Sequence, residues 1–464
     1  MVSAGKLCVA LFLFLIFSCQ DEDPTPPQYL LEEGLTSFSF LKEDNSSLTE
    51  DVNAVISGTR IKLNLPPGVT KGSLVASFST KSKGTKVFIG ELEQTSRTNV
   101  NDFSSDIIYK AVSEDGKRYS YHVEINPVTE AIDEALEALR QRYKVPGMSV
   151  AITRNGKIVF SKGYGYADKT TGDLVNNQSM FRVASLSKPV THAAILKLVQ
   201  DGKLSLSDKV FGAGGILGGT YPSPPAKSAI GQITVRNLID HTAGWANNPN
   251  DPMFGDYSFT AEKIIENQIL HRPLDYKPGT TFFYSNIGYC ILGRVIEKVT
   301  GKKYSDFVKE EILMPAGVSG MRIAGSTHRQ RAKDEVVYYQ NEFDPYSYNM
   351  ARMDSHGGWI ATAEDLAHFM AVIDRNPGEP DLIDSGLLRT GYFGYTNWTH
   401  YGSMAGTTSV ITRLNDEYSF VVLANTRVND SPHQLADDIN VTLSSIIVSG
   451  QILTIQELSA NSVN

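Results

Sequence analysis

The sequence predicts two folded parts: a small all-β sandwich over residues 28–127, and an α/β domain over 128–450. The second combines one antiparallel sheet, flanking helices and a helical part. Three observations lead there. Short alternating runs broken by Gly, Pro, Asn and Asp fill the first part. Two hairpin patterns lie near opposite ends of the second. Between them the apolar spacing is mostly helical. A length of 464 residues also exceeds one ordinary domain.

In the first part, Arg60-Ile61-Lys62-Leu63-Asn64-Leu65 runs into Pro66-Pro67-Gly68 and is followed by Leu74-Val75-Ala76-Ser77-Phe78. Lys86-Val87-Phe88-Ile89 and Tyr119-Ser120-Tyr121-His122-Val123-Glu124-Ile125 continue the pattern. Strands this short, with frequent turns, suggest an antiparallel sandwich. The stretch Ile108 to Gly116 resembles immunoglobulin-like modules of Bacteroidota lipoproteins. It carries no site chemistry, so a spacer and a weak binding module are both open.

The second part opens with an amphipathic helix, Ala131 to Tyr143. Met148 to Thr153 and Lys157 to Phe160 flank Asn155-Gly156, the strongest short hairpin signal. Ser409 to Leu414 and Tyr418 to Leu423 flank Asn415-Asp416 in the same way. Strands from both ends are therefore expected in one sheet. Residues 451–464 read as a tail.

Ahead of both parts, Lys6 precedes the short apolar run Leu7 to Phe17, which suits a signal peptide over residues 1–18. Ile16-Phe17-Ser18-Cys19 resembles the lipobox of bacterial lipoproteins, whose Cys becomes the lipidated first residue. Gln20 to Asp23, then Pro24-Thr25-Pro26-Pro27, would form a tether over 19–27, similar to those of lipoproteins exported in Bacteroidota-type bacteria. These features imply a cell-envelope protein, periplasmic or surface-exposed, held to outer-membrane lipid through Cys19. With Cys8 in the signal and Cys19 lipidated, only Cys290 remains. It lies among apolar neighbours and reads as a buried small residue.

A net charge of −8, with no long Lys/Arg cluster, gives no reason to expect nucleic acid. No His-x-x-x-His or His-Glu-x-x-His arrangement occurs, so neither a metal nor another cofactor is expected.

The chemistry starts at Ser185-Leu186-Ser187-Lys188. Ser-x-x-Lys sets a hydroxyl and an amine on one helix face, and the helix start favours an alkoxide. A lysine of lowered pKa can take the serine proton. The helix is marked by Val190, Ala193, Ala194, Leu196 and Leu198, with Gly202 as its cap. Alone the pattern is weak, because Ser39 to Lys42 also matches, within a strand-like run. Two further groups support Ser185. Tyr284-Ser285-Asn286 opens the apolar helix Ile287 to Val299, where a phenol can relay protons and an amide can hold substrate. His400-Tyr401-Gly402 precedes the last hairpin, where the amides of Ser185 and Ser403 could bind an oxyanion. Gly402 would let a substrate backbone approach. His356-Gly357-Gly358 reads as a structural turn, His241 as a loop residue, and Tyr164 and Tyr166 as packing residues.

The ordered set Ser-x-x-Lys, Tyr-x-Asn, His-x-Gly resembles the serine β-lactamase and penicillin-binding-protein superfamily. More narrowly it resembles the class C β-lactamase-related group. The flanks Met180 to Ala184, Leu238 to Gly244, Phe283 to Tyr289 and Gly357 to Leu366 carry the likeness too. It covers roughly Val128 to Leu443. The resemblance implies an acyl-enzyme mechanism without metal, in a cleft between a sheet part and a helical part. It makes Ser185 the nucleophile, Lys188 its base and Tyr284 the relay, and assigns Asn286, His400, Gly402 and Ser403 to substrate binding. Many members carry Lys where this chain has His400, and a mostly neutral histidine anchors a carboxylate less well. Peptidase or esterase action on a small or cell-wall-derived substrate is the first expectation. A β-lactam hydrolase, or a non-catalytic peptide- or glycan-binding protein on the same fold, is the alternative.

Overall fold

The computed structural model describes residues 34–448 apart from 66–68, 106, 126, 377–379 and 429–432. The signal run, Cys19 with its tether, and the tail 451–464 lie outside the described residues. The described chain divides into two compact units, one ending at Pro127 and one beginning at Val128.

The first unit is all-β. A three-stranded sheet, ordered Val52–Asn53, Leu35–Phe40, Ser77–Thr80, packs on a six-stranded sheet. Phe38 of the smaller sheet meets Tyr109 of the larger, edge to face, with ring centroids 5.1 Å apart. The Tyr121 hydroxyl accepts from Leu35 N at 3.1 Å, tying the two sheets together. One pairing departs from the antiparallel expectation: Arg60–Leu63 runs parallel to Arg118–Ile125. Both strands alternate as half-buried strands should, so their pattern is silent on direction.

The second unit is built on a sheet from both of its ends. Strands β1 (Gly147–Arg154) and β2 (Lys157–Asp168) form the first hairpin. Asn155 and Gly156 both take positive φ, 49° and 74°, as the primed hairpin turn requires. Strands β3 (Trp398–Met404), β4 (Thr407–Arg413) and β5 (Tyr418–Ala424) come from the far end. The order is β2-β1-β5-β4-β3, with the short strand Asp173–Leu174 beyond β2, so β3 is an edge. Alternate side chains serve two cores. Val150, Ile152, Phe420 and Val422 pack with helices α1 (Pro127–Arg142) and α8 (Gln434–Ile446). Ala151, Val421 and Leu423 face the larger helical core.

That core centres on α2 (Ser187–Gln200), buried almost all round, as an apolar helix inside a domain must be. Each fully buried leucine such as Leu196 contributes about 2 kcal/mol by leaving water. Against α2 pack α5 (Asn286–Thr300) and α6 (Tyr304–Val308); α3 (Val235–Ile239) and α4 (Ala261–His271) join through α5, and α7 (Ala363–Ala371) lies on β1 and β5. The antiparallel sheet, its flanking helices and the helical part thus follow the expected fold class. Cys290 is buried in α5. Tyr164 is buried on β2 and donates to Asp133 at 2.6 Å, whereas Tyr166 is 43% exposed. Ser39 lies in the strand Leu35–Phe40 of the first unit.

Candidate active site

Ser185 occupies a tight turn, Ala184–Leu186, that leads directly into α2. The turn is pinned from two sides. Phe181–Arg182 pairs with Trp359–Ala361, and Val183 O accepts from Ser409 Oγ of β4 at 2.8 Å. Ala184 is forced to φ 46°, a left-handed conformation that costs a non-glycine residue about 1 kcal/mol or more. The strain sits one residue before the serine. No side chain caps α2, so its N-terminal dipole stays directed at the turn.

Lys188 is the second residue of α2 and has no solvent exposure. Its Nζ is 3.2 Å from Ser185 Oγ, 2.6 Å from Asn286 Oδ1 and 2.9 Å from the His356 carbonyl oxygen. Burial strips the ammonium of water and pulls its pKa down to about 7, with Asp251 opposing the shift. A neutral amine keeps two N–H bonds and a lone pair. Asn286 and the His356 carbonyl can only accept here, so they take the hydrogens and leave the lone pair for the Ser185 hydroxyl.

The Tyr-Ser-Asn run is set by Ser285, the N-cap of α5, whose Oγ accepts from Gly288 N at 3.1 Å. Asn286 thereby becomes the first helical residue and Tyr284 the residue just ahead of the cap. The Tyr284 hydroxyl contacts the Ser185 side chain, and its ring lies 4.7 Å from Lys188 Nζ. Burial raises the phenol well above its ordinary value, so it stays protonated.

His400 stands on the edge strand β3, and its Nε2–H donates to the Ser185 carbonyl at 3.1 Å. Burial, then the nearby Lys188, depress its pKa to about 3, so the ring is neutral. Ser403 lies three residues on, half-buried, opposite Thr408 of β4.

The structure therefore brings Ser185, Lys188, Tyr284, Asn286 and His400 together. Two of the residues expected to meet substrate also carry contacts within the protein. Asn286 is 6% exposed, and its Nδ2 donates to Asp251 Oδ2 at 2.7 Å while Oδ1 serves Lys188. Gly402 makes room for the protein's own backbone. A Cβ there would lie 2.3 Å from Val183 O and 2.1 Å from Ser409 Oγ, so glycine admits the nucleophile's own turn against β3.

Other participants were not legible. The His356 backbone accepts from Lys188, although the residue reads as part of a structural turn. His241 does hold a loop, but its ring also stacks on Tyr284 with centroids 4.7 Å apart. Its Nδ1 accepts from Ser285 N at 3.0 Å, which leaves Nε2–H to donate to the Tyr392 hydroxyl at 2.6 Å. Its position inside the Leu238 to Gly244 flank was the one available signal. Asp251 sits in an Asn- and Pro-rich stretch that reads only as a turn.

Known proteins are similar to this chain in sequence or in fold. "Protein flp" of Staphylococcus aureus (strain NCTC 8325 / PS 47) is 30% identical over 258 residues, covering 53% of this chain and 49% of that protein. "Penicillin-binding protein 4*" of Bacillus subtilis (strain 168) is 31% identical over 264 residues, covering 54% and 53%. The chain thus spans about half the length of the curated relatives it matches. A solved D-amino acid amidase from Ochrobactrum anthropi SV3 has the same fold, with a TM-score of 0.57 at 21% identity, covering 70% of this chain and 98% of that one. The beta-lactamase family profile matches residues 132–442, from within α1 to within α8 and across every residue of the site. The chain belongs to the beta-lactamase family.

Proposed function

We propose that the protein is a serine hydrolase that cleaves an amide, peptide or ester bond through an acyl-Ser185 intermediate. The observation that carries this reading is the buried Lys188 amine, held by two acceptors with its third direction on Ser185 Oγ. Neutral Lys188 takes the serine proton as Oγ bonds to the acyl carbon and the carbonyl pair moves onto oxygen. The amides of Ser185 and Ser403 are the intended donors to that oxyanion. The C–N or C–O bond then breaks, and the leaving group takes its proton from the Lys188–Tyr284 pair. Water, deprotonated by the same pair, attacks the ester and frees Ser185.

A neutral His400 supplies no fixed charge for a substrate carboxylate. That favours amides and esters without one over β-lactams. The names of the matched proteins, a penicillin-binding protein and an amidase, fit acyl transfer of this kind. Incubating the protein with a fluorophosphonate should yield one adduct, on Ser185, and Ser185→Ala should neither label nor turn over. An unlabelled Ser185, with Ser185→Ala hydrolysing esters at the wild-type rate, would overturn the reading.

The N-terminal run extends the proposal to a lipid-anchored envelope protein, with the β unit as its spacer. Cys19→Ala should move the protein from the membrane pellet to the soluble fraction; retention in the pellet would count against anchoring through Cys19.

A further inference from the structure

One carboxylate beside the site has no part in the scheme above. Asp251 caps the short turn Pro252–Phe254, with Oδ1 accepting from Met253 N at 2.9 Å. Its Oδ2 accepts from Asn286 Nδ2 at 2.7 Å, and it forms no salt bridge among the described residues. A carboxylate only accepts hydrogen bonds, so it dictates which end of the Asn286 amide turns toward it. Nδ2 faces Asp251, and Oδ1 is left to meet Lys188 Nζ at 2.6 Å. Reversed, the amide would present N–H to the lysine and compete with Ser185 for its lone pair.

We propose that Asp251 is a positioning residue for acylation: through Asn286 it fixes which atom meets Lys188, and its charge, one amide away, favours the protonated lysine. This rests on Lys188 being the base of the proposed reaction. The groups that face Lys188 are Ser185 on its own turn, Tyr284, Asn286 and Tyr289 from α5 and its approach, His241 after α3, His356 from the turn before α7, and His400 from β3. The three histidines are held neutral by burial, and the two tyrosines stay protonated. Asp251 is therefore the one charge that acts on the lysine from among these neighbours.

Only neutral Lys188 can accept the serine proton, so the labelling rate falls as pH drops through its pKa. Removing the Asp251 charge lowers the lysine's proton affinity and carries that limb to lower pH. The test is the rate of fluorophosphonate labelling of Ser185 across pH, on the full chain. For Asp251→Asn, which keeps a capping acceptor, the limb should move down by roughly half a pH unit or more. Asp251→Glu, which keeps the charge, should leave it in place. Asp251→Ala frees the amide and should slow labelling at the plateau about tenfold or more. If Asp251→Asn fails to fold, Asp251→Ser supplies another neutral cap. Limbs that superimpose for wild type and the neutral variants would overturn the role of Asp251. A wild-type protein that takes no label would sink the hydrolase reading instead, so the two failures are distinct.

Discussion

Two cations flank the nucleophile, Arg182 three residues before Ser185 and Lys188 three residues after, and both are fully buried. Arg182 is surrounded by compensation. Its guanidinium donates to Pro345 O and, at 3.0 Å, to Gly325 O. It lies over the rings of Tyr338 and Tyr346 and has Glu335 at 3.9 Å. Lys188 has good acceptors but no carboxylate in contact, only Asp251 beyond an amide. A buried charge with a partner holds a structure in place, and one without a partner gives up its proton. Arg182, whose guanidinium keeps its proton in any setting, is thus a fastening, whereas burial without a carboxylate in contact makes Lys188 a base.

Exchanging each for methionine should break the symmetry of the pair. Lys188→Met should cut turnover about a thousandfold or more while leaving the melting temperature unchanged or raised. Lys188→Arg should not restore turnover, because a guanidinium keeps its proton. Arg182→Met leaves Glu335 buried without its cation and should cost roughly 3–5 kcal/mol in denaturant unfolding. If Arg182→Met were neutral in stability, the contrast between the two cations would fail.

The pH dependence of stability sharpens the same contrast. Lys188 falls from its ordinary 10.5 to about 7 on folding, so between those values the unfolded chain binds the extra proton. Stability must then rise with pH across that window, and the penalty, of the order of 5 kcal/mol, is fully present below about 7. The difference between the wild-type and Lys188→Met melting curves should show this rise; parallel curves would mean that the lysine is not depressed.

A smaller effect is expected at the edge strand. His400→Lys restores a fixed charge beside the Ser185 carbonyl and should speed labelling by a fluorescent penicillin roughly tenfold. An unchanged rate would show that charge at this position does not select against β-lactams.

What the sequence disclosed follows from how local each signal was. The hairpin at Asn155-Gly156 and helices α2 and α5 were legible because their periods and caps lie within a few residues. Ser185, Lys188, Tyr284 and His400 were legible because each sits in a short run whose spacing has chemical meaning. Contacts made through space left no such trace. The His356 carbonyl has no side-chain signature, and Asp251 lies in an Asn- and Pro-rich turn that carries no motif. The packing of Gly402 against the Ser185 turn was not legible, because the sequence marks a missing side chain without telling which neighbour fills the space.

The central sheet pairs Met148 with Ala424, and β3 joins that sheet by pairing with β4. During N-to-C synthesis the Ser185 turn emerges more than 200 residues before its sheet can close, with His400 and Ser403 still to come. The reactive centre therefore cannot mature on a partial chain. A product truncated ahead of β3 would carry Ser185 and Lys188 without the strand that bears His400 and Ser403.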